Sequence, residues 1–241
     1  MIGAFLNAIG ILVGGLLGLV LRRPLSLRVQ VLFRSALGTA VFFFGLRLVW
    51  LSLGGSFLVE TKQILIALLA VSVGFWLGKF VRLQKLSNRL GRPAATLIAS
   101  SPTGAGKTAE AWKACVLLFS AAPLGLIGAV ADGLAGYFWL LAVKAVMDAL
   151  AMMSFVKLFR WPVALSAFPV FVVLGGITLA CEFCAPWLAA HHCVSPINAA
   201  AGLIACAVTV VIFEVRRVEL ANFLPALVVA PLLARCFGWT T

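Results

Sequence analysis

The chain has 241 residues, of which 63% are hydrophobic and only 11% are charged, and its formal net charge is +12. Soluble domains are about half apolar and a quarter charged, so this composition excludes a soluble globular protein. A basic balance in a membrane chain usually reflects Lys and Arg kept on the cytoplasmic side, so we expect no nucleic acid partner. We predict an all-α polytopic integral membrane protein.

Apolar stretches long enough to cross a bilayer recur along the chain, which we interpret as one multi-pass domain over residues 1–241. A crossing helix needs about 20 residues. Seven spans are predicted at about 1–21, 31–53, 63–81, 112–130, 134–156, 163–179 and 196–213. An eighth run, 222–237, contains Pro225 and Pro231 and reaches only about 24 Å as a helix, which predicts a short, broken or re-entrant segment. Such segments line binding sites in transporters.

Most of the 19 Lys and Arg residues fall on one side of this map, which places the N-terminus outside. Many of them lie in a basic linker at about 82–111. Its first part, 81–92, has leucines at helical spacing beside basic residues, as in a helix that lies on an anionic leaflet. A solvated linker helix is the alternative. The bilayer, and anionic lipid at the linker, are the expected partners.

Residues 101–108 read SPTGAGKT, one residue away from the phosphate-loop pattern of nucleotide-binding proteins. A working phosphate loop needs a preceding strand and a surrounding parallel sheet. Only about thirty residues separate the third span from the fourth, too few for such a domain. We expect an inert Gly/Ser/Pro linker.

The candidate functional site is the run 132–148, DGLAGYFWLLAVKAVMD, which places charges in apolar surroundings. A charge at the centre of a spanning helix costs about 2.5 to 3.5 kcal/mol, so it normally faces a bundle interior with a partner. Lys144 and Asp148 are four residues apart, on one helix face, and are predicted partners. Asp132 is predicted to join them, and Asn7 and Asn222 to supply neutral polar contacts. The turn at 132–136 would contain Gly133 and Gly136, and Pro225 would break the last helix.

Cys181, Cys184 and Cys193 lie within a short segment that also holds His191 and His192. Thiolates and imidazoles are zinc ligands, but this spacing matches no standard zinc module. A disulfide on the outer side, or ordinary loop cysteines, is favoured over zinc. No metal or cofactor is expected.

Two glycine patterns concern packing rather than chemistry. Gly10, Gly14 and Gly18 form Gly-xxx-Gly spacings that allow another helix to approach closely, within the protein or in a homo-oligomer. The stretch 6–23 also echoes 197–217, each with an Asn-Ala start, an apolar span and a double arginine. This echo indicates a weak internal duplication.

Four pieces of the chain resemble an uncharacterised bacterial inner-membrane family of the YdfK/YqgA kind, a domain-of-unknown-function family. They are the opening MIGAFLNAIGILVGGLLGLVL, then ALGTAVFFFG, DGLAGYFWLLAVKAVMD and the ending NFLPALVVAPLL. Within the third piece, Gly133, Gly136, Lys144 and Asp148 match the family motif, while Tyr137 stands where the family usually has Asp. The resemblance implies a multi-pass protein of the bacterial cytoplasmic (inner) membrane, of a kind described as transporters on the basis of topology.

These observations favour a transporter or channel-like protein for a small polar or anionic solute. The alternative is a structural or partner-binding membrane subunit in which Lys144 and Asp148 only fix helix packing. An enzyme is not expected, because no Ser/His/Asp or Cys/His set is placed convincingly.

Overall fold

The computed structural model describes residues 1–21, 26–89, 105–216 and 218–239, and all regular structure in these ranges is helical. The helices are α1 (Ile2–Val20), α2 (Leu27–Ser52), α3 (Phe57–Val81), α4 (beginning at 83 and described to 89), α5 (Ala105–Ser120), α6 (Pro123–Ala135), α7 (Trp139–Phe159), α8 (Ala167–Ala190), α9 (Val194–Ile212) and α10 (Ala226–Phe237). The 3-10 helices η1 (Trp161–Ser166) and η2 (Leu220–Phe223) precede α8 and α10. The phosphate-loop lookalike at 101–108 begins outside the described residues. Residues 90–104 of the basic linker also lie outside them.

The predicted membrane architecture is confirmed. Within the described ranges, seven helical stretches are long and apolar enough to cross a bilayer, and α5 with α6 passes the same test as a pair bent by 54°. Near the C-terminal end of α6, Asp132 contacts Met1 at one end of the bundle. In contrast, α5 packs against η1 near the other end of the bundle. The pair therefore crosses as one broken span. The break lies inside the fourth predicted span, 112–130, for which no break was predicted.

Several predicted boundaries differ from the structure, and two of these differences change how the sequence is interpreted. Asp132 and Gly133 belong to α6 rather than to a tight turn, because the helix ends only at Gly136, whose φ of 64° suits glycine. The sixth span does not end at residue 179, because α8 continues to Ala190 with Pro186 inside it. The predicted cysteine loop is therefore largely helix.

The glycines of α1 form a seam with α7, as their spacing predicted. A Cβ added to Gly14 would lie 2.2 Å from the carbonyl oxygen of Ala149, so only glycine permits this approach. Gly10, Gly14 and Gly18 pack, in order, against the backbone of Ala145, Ala149 and Met153 of α7. Residue numbers increase in the same direction along α1 and α7, so the two helices are parallel.

The eighth segment crosses the bundle rather than re-entering. Gly78 near the end of α3 packs against the backbone of Asn222, and Gly74 packs against Ala226. At the other end of α3, Lys62 lies beside Gly238. Segment 220–237 therefore runs antiparallel to α3 for most of its length.

The helices at the centre of the bundle are α6 and α7, which belong to both large hydrophobic clusters. One cluster joins them to α1, α5, η1 and α8, and the other joins them to α2, α9 and α10. The principal partners of α1, α2 and α3 are α7, α9 and α10. This arrangement turns the α7 face that carries Lys144 and Asp148 into the bundle, while Val146 on another face stays exposed.

Candidate functional site

The predicted partners Lys144 and Asp148 form an ion pair on α7, within one turn of helix. Lys144 is 2% exposed and Asp148 is 7% exposed, so the pair is enclosed by protein. Lys144 is among the largest fully buried side chains of the described residues. Burial of both charges is tolerated because each is the other's counter-ion.

The ammonium end of Lys144 lies at the break between α5 and α6. Its Nζ is 5.9 Å from the centroid of the Phe119 ring, in the last turn of α5. On the other side of the break, Gly125 leaves room for the lysine stem, since a Cβ there would be 2.7 Å from Lys144 Cε. The α5 C-terminus and the α6 N-terminus therefore both lie near one buried cation. Helix ends carry C=O and N–H groups that have no partner within the helix.

Two further polar side chains border this region without satisfied hydrogen bonds. The Asn7 side chain from α1 faces Asp148, but neither its Oδ1 nor its Nδ2 completes a hydrogen bond of ordinary geometry. Ser120, the last residue of α5, has a buried Oγ with no partner among the described residues. Buried polar atoms of this kind are rare, and each is able to bind a guest molecule or water.

Asp132 lies on α6 and serves the start of α1. Its Oδ2 accepts a hydrogen bond from the Gly3 N–H at 3.0 Å and is 3.3 Å from the amino nitrogen of Met1. A carboxylate at a helix N-terminus neutralises the positive end of the helix dipole. Asp132 is therefore not in the same cluster as Lys144. Its neighbour Gly133 packs tightly on α8, where a Cβ would be 2.3 Å from the carbonyl oxygen of Thr178.

Asn222 lies elsewhere again, in η2. Its Oδ1 accepts from the Gln84 N–H at 3.0 Å and its Nδ2 donates to Glu219 at 2.7 Å. Gln84 in turn accepts from the Ala221 N–H at 3.0 Å. These bonds tie α4 to η2, and Pro225 directly precedes α10. The structure thus brings Asn7 to the Lys144–Asp148 pair and leaves Asp132 and Asn222 apart from it.

Tyr137 connects α6 to α7 and fixes their turn against α2. Its hydroxyl donates to the carbonyl oxygen of Phe44 at 2.8 Å. Burial raises the pKa of Tyr137 to about 12, although the charge of Arg47 acts in the opposite direction. The hydroxyl therefore keeps its proton at neutral pH and remains a donor.

The cysteine segment was expected to hold either a disulfide or ordinary loop cysteines. All six cysteines are free thiols in the structure, so of these two alternatives the disulfide is not found. Cys181 and Cys184 lie on α8, and Cys193 follows that helix, where its thiol donates to the carbonyl oxygen of His191. Among the described residues no group of three or more His, Cys, Asp or Glu side chains could hold a metal ion.

The site residues that the sequence did not reveal are Phe119, Ser120 and Gly125. Each was assigned to the fourth span, in which no break was predicted. The signal that could have found them is the segment Ser-Ala-Ala-Pro at 120–123, since proline is favoured at the first position of a new helix.

Comparison with known proteins identifies relatives along the full chain. The family model described as "Protein of unknown function (DUF554)" matches residues 2–235. "Uncharacterized protein YqgA" of Escherichia coli (strain K12) is 27% identical over 241 residues, which cover 99% of this chain and 98% of that protein. "Uncharacterized membrane protein YdfK" of Bacillus subtilis (strain 168) is 20% identical over 233 residues, 97% of this chain and 95% of that protein. No solved structure matches. The chain belongs to the DUF554 family of membrane proteins.

Proposed function

We propose that the protein provides a path across the membrane for a small polar or anionic solute, as a transporter or a channel-like protein. In this proposal Lys144 and Asp148 bind the solute or a coupling proton, and Asn7 adds a neutral contact. The observation that carries the proposal is a buried ion pair located at the break of a membrane-crossing helix.

The free-energy cost of placing charges inside a membrane helix supports a functional role for the Lys144–Asp148 pair. Ionisable residues within membrane helices are expensive and usually mark solute pathways or proton relays. The Lys144–Asp148 pair could be replaced by apolar side chains without losing helix packing, because buried ion pairs contribute little net stability. A role beyond packing explains why such a pair is present.

The break between α5 and α6 supports the same reading. In many secondary transporters, solute and ion sites are built from discontinuous helices, whose ends present dipoles and unsatisfied backbone groups. Here the α5 carboxyl end carries partial negative charge near a lysine, while the α6 amino end carries partial positive charge. An anionic solute could contact both the α6 amino end and Lys144.

Access to Lys144 requires movement, because the pair is enclosed. The bend at Ser120 to Pro123 is the natural hinge, since no continuous ladder of helical hydrogen bonds runs through it. Motion of α6 relative to α5 would open the pair to one side of the membrane. This is the kind of gating that alternating access needs.

Orientation and location follow from the charges. Lys79, Arg82, Lys157, Arg160 and Arg216 lie at one end of the bundle, which we name the basic end. We infer that the basic end faces the cytoplasm of a bacterial cell, with the N-terminus outside. The alternative, a structural or partner-binding subunit, remains the competing function, and either role is non-enzymatic.

The deciding experiment replaces both charges, with Lys144→Met and Asp148→Leu in one chain. Purified protein in liposomes is first screened for solute uptake, and folding is followed by thermal unfolding. The proposal predicts that each single change lowers stability by about 3 to 5 kcal/mol, while the double variant folds but does not transport. Val146→Leu, on the exposed side of the same helix, is the control and should transport normally.

Two results would contradict the proposal. Full uptake by the double variant would show that the charges serve packing alone. A screen of anionic, zwitterionic and neutral polar solutes that yields no uptake by the folded wild-type protein would favour the partner-binding role instead.

A further inference from the structure

A cavity of about 310 Å³ lies between α2 and α7, separate from the Lys144–Asp148 pair. Its α7 wall is formed by residues on other faces of the helix, including Met147, Leu150 and Ser154. Its α2 wall includes Arg34 and Leu37, and Ile212 of α9 closes one side. The cavity is open rather than enclosed, so a ligand could enter it from the bilayer.

The residues that line the cavity are polar and basic at one end and apolar at the other. Because α2 and α7 run in opposite directions, Gln30 and Arg34 lie near Ser154 and Lys157, at the basic end. Deeper in the membrane the walls are apolar. The stretch of α7 from Met147 to Lys157 is about 15 Å long, with cations at one end and hydrocarbon at the other.

Arg34 keeps binding capacity despite its ion pair with Glu214. A guanidinium has five N–H donors in a planar fork, and a single carboxylate engages only part of that fork. The Arg34 side chain is 38% exposed, so the cation is accessible from the cavity mouth. Lys157 adds a second cation to the lining.

We propose that this cavity binds an anionic phospholipid, with the phosphate at Arg34 and Lys157 and an acyl chain along Leu37, Met147 and Leu150. A soluble phosphate would use the cations but not the apolar wall, whereas a neutral lipid would use the wall but not the cations. The combination fits an anionic lipid of the cytoplasmic leaflet, where basic pockets between helices bind such headgroups. This inference does not depend on what the protein transports.

The test is native mass spectrometry of the purified full-length protein, titrated with phosphatidylglycerol or with phosphatidylcholine. The wild-type protein should retain one phosphatidylglycerol with clear preference over phosphatidylcholine. Arg34→Gln should weaken retention about fivefold, the effect expected for one basic contact to an anionic lipid. Ser154→Phe should block the cavity with the charges intact. Ser154 is exposed, which makes this variant compatible with folding.

Matched controls distinguish lipid binding in this cavity from non-specific attraction of anionic lipid to basic side chains elsewhere. Leu158→Phe adds the same ring to an exposed α7 position outside the cavity and should leave retention unchanged. Lys79→Gln removes an exposed cation from α3, at the basic end but outside both the cavity and the linker, and should also have no effect. Equal retention by Ser154→Phe and wild type would overturn the proposal, as would a loss in Lys79→Gln as large as that in Arg34→Gln. Displacement of the lipid by millimolar inorganic phosphate would overturn it too.

Discussion

Substitution of Gly14 by alanine tests the α1–α7 seam with a single added methyl group. The new Cβ would lie 2.2 Å from the Ala149 carbonyl oxygen and 2.5 Å from its Cα, where ordinary contact begins near 3.4 Å. These are backbone atoms, which cannot rotate away, so the helices must separate by roughly 1 Å. A gap of that size forfeits about a quarter to a half of the dispersion energy of the contacts across it. We expect a loss of about 1 to 3 kcal/mol in the free energy of unfolding.

Thermal unfolding in detergent measures this loss, which should lower the Tm by roughly 2 to 12 °C for a chain of this size. The matched control is Gly176→Ala in α8, where an added Cβ meets nothing within 4 Å. Alanine is the better helix former, so the control should be neutral or slightly stabilising. Equal Tm values for the two variants would refute the conclusion that glycine is required by contact with α7.

Four other predictions concern the rest of the molecule. Asn222→Ala removes the side chain that holds α4 to η2, so the free energy of unfolding should fall by about 1 to 3 kcal/mol and hydrogen exchange in α4 should become faster. Asp132→Asn removes the charge at the start of α1, so stability should fall by about 0.3 to 1 kcal/mol and the first turn of α1 should exchange faster; an unchanged rate would count against a capping role. In a cysteine-free background, Thr61→Cys should react with an impermeant maleimide on intact cells, and Arg89→Cys only after permeabilisation; the reverse pattern would invert the topology. Lys107→Ala should leave stability and function nearly unchanged, and ATP binding that this change abolishes would show a working phosphate loop.

The helices and the ion pair could be predicted because both depend on local periodicity. Runs of apolar residues identify crossing helices without any knowledge of their neighbours. The four-residue spacing of Lys144 and Asp148 places them together on any helix, and the pair is present. The proposed internal duplication stays a prediction.

The rest of the site depends on packing between distant segments. Asn7, Asp132 and Asn222 are all buried, as their polarity in apolar runs predicted, but each has a different environment. A sequence indicates which polar residues need partners, and does not specify which partners they find. The break at Ser120 was missed for a related reason, because Pro123 is compatible with a helix start as well as with a kink.

The pairing of the first three helices with α7, α9 and α10 has a consequence for synthesis in the cell. Gly3 and Asp132 are 129 residues apart in sequence, which at about 5 to 20 residues per second is a delay on the order of ten seconds. During that delay α1 is in the bilayer with Asn7 and its glycine face uncovered. The nascent protein is therefore exposed to membrane proteases and chaperones until its second half is inserted. A truncation after α6 should be degraded rapidly rather than accumulate as a stable half.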